Sequence, residues 1–159
     1  MPSFGLIAAV LCGCGGSGSG GGSAPAAQLP PGIKANSATG IYPATDEECC
    51  WTGPDVRFAV PAGAASTTVR IDVYEPKVGP FVNAPQVVSL LDARGAVIAK
   101  RKVPGGATTS ITFPLAPSDV KDGAANVHLR MAVSVVPKDA GLSADVRRLA
   151  LILKRVAAQ

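Results

Sequence analysis

The stretch "NVHLRMAVSVV", Asn126 to Val136, decides the fold. Val127, Leu129, Met131, Val133 and Val135 fall at every second position, with His128, Arg130 and Ala132 between them. In an extended chain successive side chains point to opposite faces. The pattern therefore predicts a half-buried strand over the whole stretch, with those five apolar residues inward and His128 outward.

The same period recurs on both sides of it. "VRFAV" (56–60) alternates, and "TVRIDVY" sets Val69, Ile71 and Val73 against Arg70, Asp72 and Tyr74. "QVVSLLDARGAVIAKRKV" reads as a hairpin turning at Asp92-Ala93-Arg94-Gly95. "TSITFPL" (109–115) is a further strand, and Pro114 marks it as an edge or a strand end. "RLALILKRV" (148–156) closes the chain. Leu149, Leu151 and Leu153 alternate as in a strand, while Leu149, Ile152 and Val156 also fit a helical stripe, and the strand is preferred. Gly- and Pro-bearing segments such as "PAGAAS" and "PGGATT" separate these runs. The expected fold is all-β, an antiparallel β-sandwich of about seven to eight strands over residues 33–159. That length suffices for one core.

The first 32 residues follow other rules. "MPSFGLIAAVLCGCGGSGSGGGS" holds one short apolar run, Phe4 to Leu11. It is well below the ~20 residues a bilayer-spanning helix needs, and it suits the apolar part of a secretion signal. The tetrad "LCGC" resembles the bacterial lipobox, with Gly13 before the cut and Cys14 as the acylated residue. That resemblance implies a signal peptide at 1–13 and a membrane anchor at Cys14. Several acyl chains together anchor stably where a single one is marginal. Bulky Leu11 makes Cys12 the poorer acceptor. No Lys or Arg precedes the run, a departure from signal patterns that a natural start upstream of Met1 would remove. Gly15, where inner-membrane lipoproteins often carry aspartate, leans the expectation to the outer membrane. Residues 14–32 read as a flexible tether. The Gly-rich run is no phosphate loop, since no strand precedes it and no Gly-Lys-Ser/Thr follows.

Two further stretches, "TGIYPATDEECCWTGPDVRFAVP" and "VPKDAGLSADVRRLALIL", together resemble the opening and closing of a β-sandwich accessory domain. That domain occurs appended to bacterial glycosyltransferases and alone in exported proteins. The resemblance rests on Gly40, Tyr42, Trp51, Gly53, Pro137, Gly141, Asp145 and Arg147. It implies a non-catalytic sandwich in a cell-surface glycan setting. The cysteine pair and the placement of the acids depart from the pattern, which leaves Glu47 and Glu48 without an implied ligand role.

Few residues offer chemistry of their own. His128 is the only histidine and reads as a solvated surface residue. Adjacent Glu47 and Glu48 would point to opposite faces of a strand, a poor acid/base pair. No metal site is expected. Neighbouring Cys49 and Cys50 lack the spacing of zinc ligands, and Asp46, Glu47 and Glu48 lack that of a calcium loop. In an oxidising compartment Cys49 and Cys50 form a strained disulfide with each other, stay free, or link to another chain. A lone tryptophan at a strand start more often fills a sandwich core, so Trp51 is expected inward with the cysteines at its lip. The competing reading stacks a sugar ring on Trp51 and Tyr42. Asp145 and Arg147 share a strand face by spacing, and either grip a polar ligand or pin a loop as an ion pair.

The net charge is +4, from 15 Lys and Arg against 11 Asp and Glu. The basic runs Lys100-Arg101-Lys102 and Arg147-Arg148 lack interleaved aromatics. They read as solvated faces, with contact to lipid phosphates or acidic glycans as the rarer role. Nucleic acid is not expected as a partner, nor any cofactor, nor enzyme activity. Two functions remain. One is a membrane-anchored envelope lipoprotein associated with surface glycan. The other is an assembly factor that binds another envelope protein through a sheet edge. The first requires an exposed aromatic beside Asp145 and Arg147, the second an open edge strand.

Overall fold

The computed structural model describes residues 28–43 and 50–159. Cys14, the signal and most of the tether lie outside the described residues, as do Asp46, Glu47, Glu48 and Cys49. The described residues form an all-β, antiparallel sandwich of nine strands: β1 (Thr39–Ile41), β2 (Thr52–Pro61), β3 (Thr68–Tyr74), β4 (Gln86–Leu91), β5 (Val97–Val103), β6 (Thr108–Pro114), β7 (Val120–Lys121), β8 (Ala124–Met131) and β9 (Ile152–Ala158). The larger sheet runs β1-β2-β8-β4-β5, with β7 paired to β8; the smaller runs β6-β3-β9. β1 and β7 are short, which leaves the seven longer strands anticipated by the alternation. No helix among the described residues is long and apolar enough to cross a membrane.

Alternation builds the core. Val69, Ile71 and Val73 are at most 1% exposed and share one core with Val56, Phe58 and Leu129 of the larger sheet and with Phe113 beside them on β6. Burying each such side chain contributes about 1.5–3 kcal/mol, enough in sum to offset chain ordering. The 86–103 hairpin turns where expected. Asp92 accepts the backbone N–H groups of Arg94 and Ala96, both at 2.8 Å. Pro114 is the last residue of β6, an outer strand.

Two expectations are corrected. The strand containing His128 stops at Met131, and Val133 and Val135 are only half-buried. There the backbone leaves the ladder for a buried side chain: Gln86 Oε1 accepts the Val133 N–H at 2.9 Å and Gln86 Nε2 donates to the Val133 carbonyl at 2.7 Å. The closing segment is extended, not helical, but it does not alternate. Leu149 through Leu153 are buried without interruption, and only beyond them does β9 open to solvent, at Arg155.

One side of the sandwich is stitched shut. The N–H of Cys50 donates to Leu153 O at 3.1 Å, that of Leu153 returns to Cys50 O at 3.0 Å, and Thr52 N–H reaches Leu151 O at 2.8 Å. The lead-in to β2 thus pairs with the smaller sheet before β2 joins the larger, a corner built by a strand that changes sheets. β1 lies against β2 with a register shift between Thr39 and Ile41. Gly40 takes φ +74 there, and a Cβ would sit 2.1 Å from Asp55 O, so no other residue fits. Packing begins ahead of residue 33: Pro30 is buried, Leu29 packs on the core, and Val156 N–H donates to Pro31 O at 2.9 Å.

Candidate functional site

Ladder register places the amphipathic aromatics side by side. Tyr42 N–H donates to Trp51 O at 2.8 Å. Trp51 bridges Ile152, Ile152 pairs with Tyr74, and Tyr74 pairs with Thr108. Residues opposite one another in an antiparallel ladder share a face. Ile41, Thr52 and Val73 point inward, so Tyr42, Trp51, Ile152 and Tyr74 form one row on the outer face of the smaller sheet. All three rings are partly exposed, and Ile152 between two of them is 1% exposed.

This corrects the inward expectation for Trp51. Cys50, Thr52 and Val56 occupy the core-facing positions of the strand, and period two turns Trp51 outward. Cys50 is 0% exposed in the core, not at its lip, and is disulfide-bonded. Every other cysteine lies outside the described residues. The Cys50 Sγ also lies 3.2 Å from the carbonyl oxygen of Gln28.

Asp145 and Arg147 reach the Tyr42 end of the row, but from a loop and not from the expected strand. Arg147 Nη2 donates to Asp145 Oδ2 at 2.7 Å and its Nε to both carboxylate oxygens at 3.0 Å. The Arg147 backbone N–H adds a bond to Asp145 Oδ1 at 2.8 Å. Hydrogen bonding from the Arg147 side chain, chiefly, holds the Asp145 carboxyl below its ordinary value. The guanidinium lies 5.2 Å from the centre of the Tyr42 ring, within cation–π range. Tyr42 Oη donates to Arg148 O at 3.4 Å. The pair thus pins the loop and at the same time caps one ring of the row.

A polar strip runs beside the rings, two residues along each strand. Ser110 Oγ donates to Asp72 Oδ1 at 2.6 Å, Arg70 Nε to the same oxygen at 3.1 Å, and Arg70 Nη2 to Ser110 Oγ at 2.8 Å. The Ser110 bond leads in lowering the Asp72 carboxyl below its ordinary range. Tyr74 was legible as outward-facing from the alternation of "TVRIDVY". Its place in a row with Trp51 was not, because that depends on register between residues far apart in the chain.

Other polar groups lie elsewhere. His128 is not the solvated residue expected; its side chain is 13% exposed and Nε2 lies 2.9 and 3.1 Å from the Asp55 carboxylate oxygens. Arg57 and Arg130 flank the same carboxylate at 3.8 and 3.6 Å. β2–β8 register explains the cluster, since Asp55 opposes Arg130 and Arg57 opposes His128. A cavity of about 430 Å³ lies nearby, with Phe58, Leu90 and Leu115 among its apolar walls and Arg57, Lys121 and His128 among its polar ones. Its two aspartates are committed to turns, Asp92 as above and Asp119 to the Ala116 N–H at 3.0 Å. No group of three or more His, Cys, Asp or Glu among the described residues is placed to hold a metal ion.

Glu75, the residue just after β3, carries no sequence signal. The residue is 0% exposed and neither carboxylate oxygen makes a well-formed hydrogen bond. Burial raises its carboxyl above the ordinary value, and the Gln86 backbone N–H offsets only part of that. The folded state therefore keeps a proton that the unfolded chain gives up near the usual glutamate value. Stability is fullest below that value and falls as pH rises towards the folded one. Glu75→Gln removes the dependence, so its gain in melting temperature over the parent should be larger near about pH 8 than near about pH 4. An equal or larger gain at the acidic end, by thermal melts at both pH values, would refute the assignment.

No family model matches the chain, and no curated protein does. Among solved structures it is similar to a glycoside hydrolase family 43 arabinoxylan arabinofuranohydrolase from Bacillus subtilis, in complex with cellotetraose, at 10% identity and a TM-score of 0.33. The alignment covers 77% of this chain and 24% of that enzyme. A likeness at that level assigns no function.

Proposed function

We propose that the chain is a non-enzymatic lipoprotein of the cell envelope, anchored through Cys14 and associated with surface glycan through the Tyr42–Trp51 end of the outer face. The observation that carries the glycan reading is the partly exposed Trp51 and Tyr42 beside Asp145 and Arg147. Stacking rings next to charged hydrogen-bonding groups suit a sugar, which is apolar on its faces and polar at its rim. The resemblance to an accessory domain of glycosyltransferases points the same way.

The assembly reading has its own observation. β5 is an outer strand of the larger sheet, with Val97 and Ile98 each 49% exposed. Against it, the strand carries Lys100, Arg101 and Lys102, and Arg101 folds over to the Thr112 carbonyl at 2.9 Å. Lysines on an edge are a device that discourages strand addition.

Anchoring and glycan binding separate by experiment. Cys14→Ser should abolish palmitate labelling and release the protein from the membrane fraction, while Cys12→Ser should leave both intact. A Cys14→Ser protein that still takes up label refutes the anchor. Trp51 is the chain's only tryptophan, so its emission reports directly on the row. Titration with a panel of soluble polysaccharides should give a saturable change with at least one of them, weakened by Tyr42→Ala. Emission unchanged across the panel refutes glycan binding at this face.

A further inference from the structure

We infer that the outer face of the smaller sheet is a track for an anionic polysaccharide, whose sugar rings stack on Trp51 and Tyr74 and whose carboxylates are held by Arg155. The inference rests on the glycan reading and extends it across the sheet to residues that reading does not use. Its first ground is how the aromatics are sorted. Phe58, Phe81 and Phe113 are buried, whereas both tyrosines and the tryptophan, the aromatics with a polar handle, stand in one partly exposed row. β9 separates Trp51 from Tyr74, and with strands ~4.8 Å apart the two rings are set about 10 Å from one another. That spacing accommodates successive rings of one extended chain and exceeds what a single monosaccharide would bridge.

The second ground is charge. Among the described residues, Asp72 and Asp145 are the carboxylates beside the row, and both are spent on protein partners: Asp72 on Arg70 and Ser110, Asp145 on Arg147. Arg148 Nε donates to Ser134 Oγ at 2.9 Å. Arg155 is exposed and faces Asp72 across the ladder, where its charge is the last of the influences that lower that carboxyl, but it has no carboxylate at ion-pair distance among the described residues. Among the described residues, which leave out Asp46, Glu47 and Glu48, the surplus charge on this face is thus positive and concentrated on a planar group that takes a carboxylate through two parallel bonds.

The third ground is backbone. Val73 pairs with Leu153, but Asp72 pairs with Arg155, so β9 carries one extra residue at this point. The bulge leaves Lys154 outside the register and turns Arg155, not Lys154, onto the face that holds Tyr74 and Asp72. Bulges beside functional sites re-aim side chains in this way.

The test uses the full chain and the emission of Trp51. Polygalacturonate should give a saturable change; dextran, a neutral polymer, should give none or a far weaker one. Arg155→Gln and Tyr74→Ala should each weaken polygalacturonate binding about tenfold. Arg94→Gln, which removes a cation in the β4–β5 turn, should leave it unchanged. Arg155 is exposed, so its variant should melt with the parent, which separates lost binding from lost fold. Polygalacturonate binding insensitive to Arg155 and Tyr74, or dextran binding as tightly, overturns this inference and leaves the broader glycan reading standing. Silence towards every polymer overturns both. An equal response to phosphatidylglycerol vesicles overturns it in favour of a lipid surface.

Discussion

Gln86→Leu is expected to lower the unfolding free energy by about 3 to 5 kcal/mol, although leucine is close to glutamine in size. Gln86 is 0% exposed. Its amide donates to the carbonyls of Val133 at 2.7 Å and Ala150 at 3.3 Å, and its oxygen accepts the Val133 N–H at 2.9 Å. One side chain thus completes the backbone bonding of two segments that have left their ladders. Leucine would leave one buried and two partly buried polar groups without partners, each costing about 1–3 kcal/mol, with the longest bond the cheapest to lose. Urea denaturation of the two proteins measures the difference. A loss under about 1 kcal/mol would mean that water reaches these groups and that the 132–135 segment is not held as described.

Phe113→Ala should cost about as much, 3 to 5 kcal/mol, by a different route. The ring is 0% exposed and belongs to an outer strand, where it opposes Val69. The Arg101 guanidinium lies 5.4 Å from its centre, so its removal also deprives Arg101 of a surface to lie on. The void would open between the sheets, since β6 has a partner on one side only. Ile111→Val, two residues away on the same face, should cost only about 0.5–1.5 kcal/mol. If the two variants unfold at similar denaturant concentrations, the 108–114 strand tolerates repacking and the core is looser there than its burial implies. With total stabilities of about 5–15 kcal/mol, either large loss would leave little folded protein at elevated temperature.

How much of this was readable depends on the range over which each feature is determined. Strand identity was legible because Val69, Ile71 and Val73 carry it within seven residues. The hairpin was legible because Asp92 and Gly95 encode their own turn. Val133 and Val135 misled, because the alternation continues past the point where a distant glutamine takes the backbone. Leu149 to Leu153 could be read as strand or helix because burial on both faces erases the period. Trp51 was expected inward on its residue type; its orientation is set by parity with Val56, which the sequence does contain. The row of Tyr42, Trp51 and Tyr74, and the pairing of His128 with Asp55, depend on register, which linear spacing does not express. Glu75 is buried by neighbours in space and gave no local signal.

The seam between Cys50–Thr52 and Ala150–Leu153 has a kinetic meaning. Its two halves lie near opposite ends of the folded chain, and β9 must also pair with β3 before the smaller sheet has more than two strands. Closing contacts of such sequence separation is entropically slow. A nascent chain that still lacks residues 150–159 has no seam and no β9, and leaves one edge of β3 bare. Commitment to the native state therefore waits until residues 150–159 are available to pair.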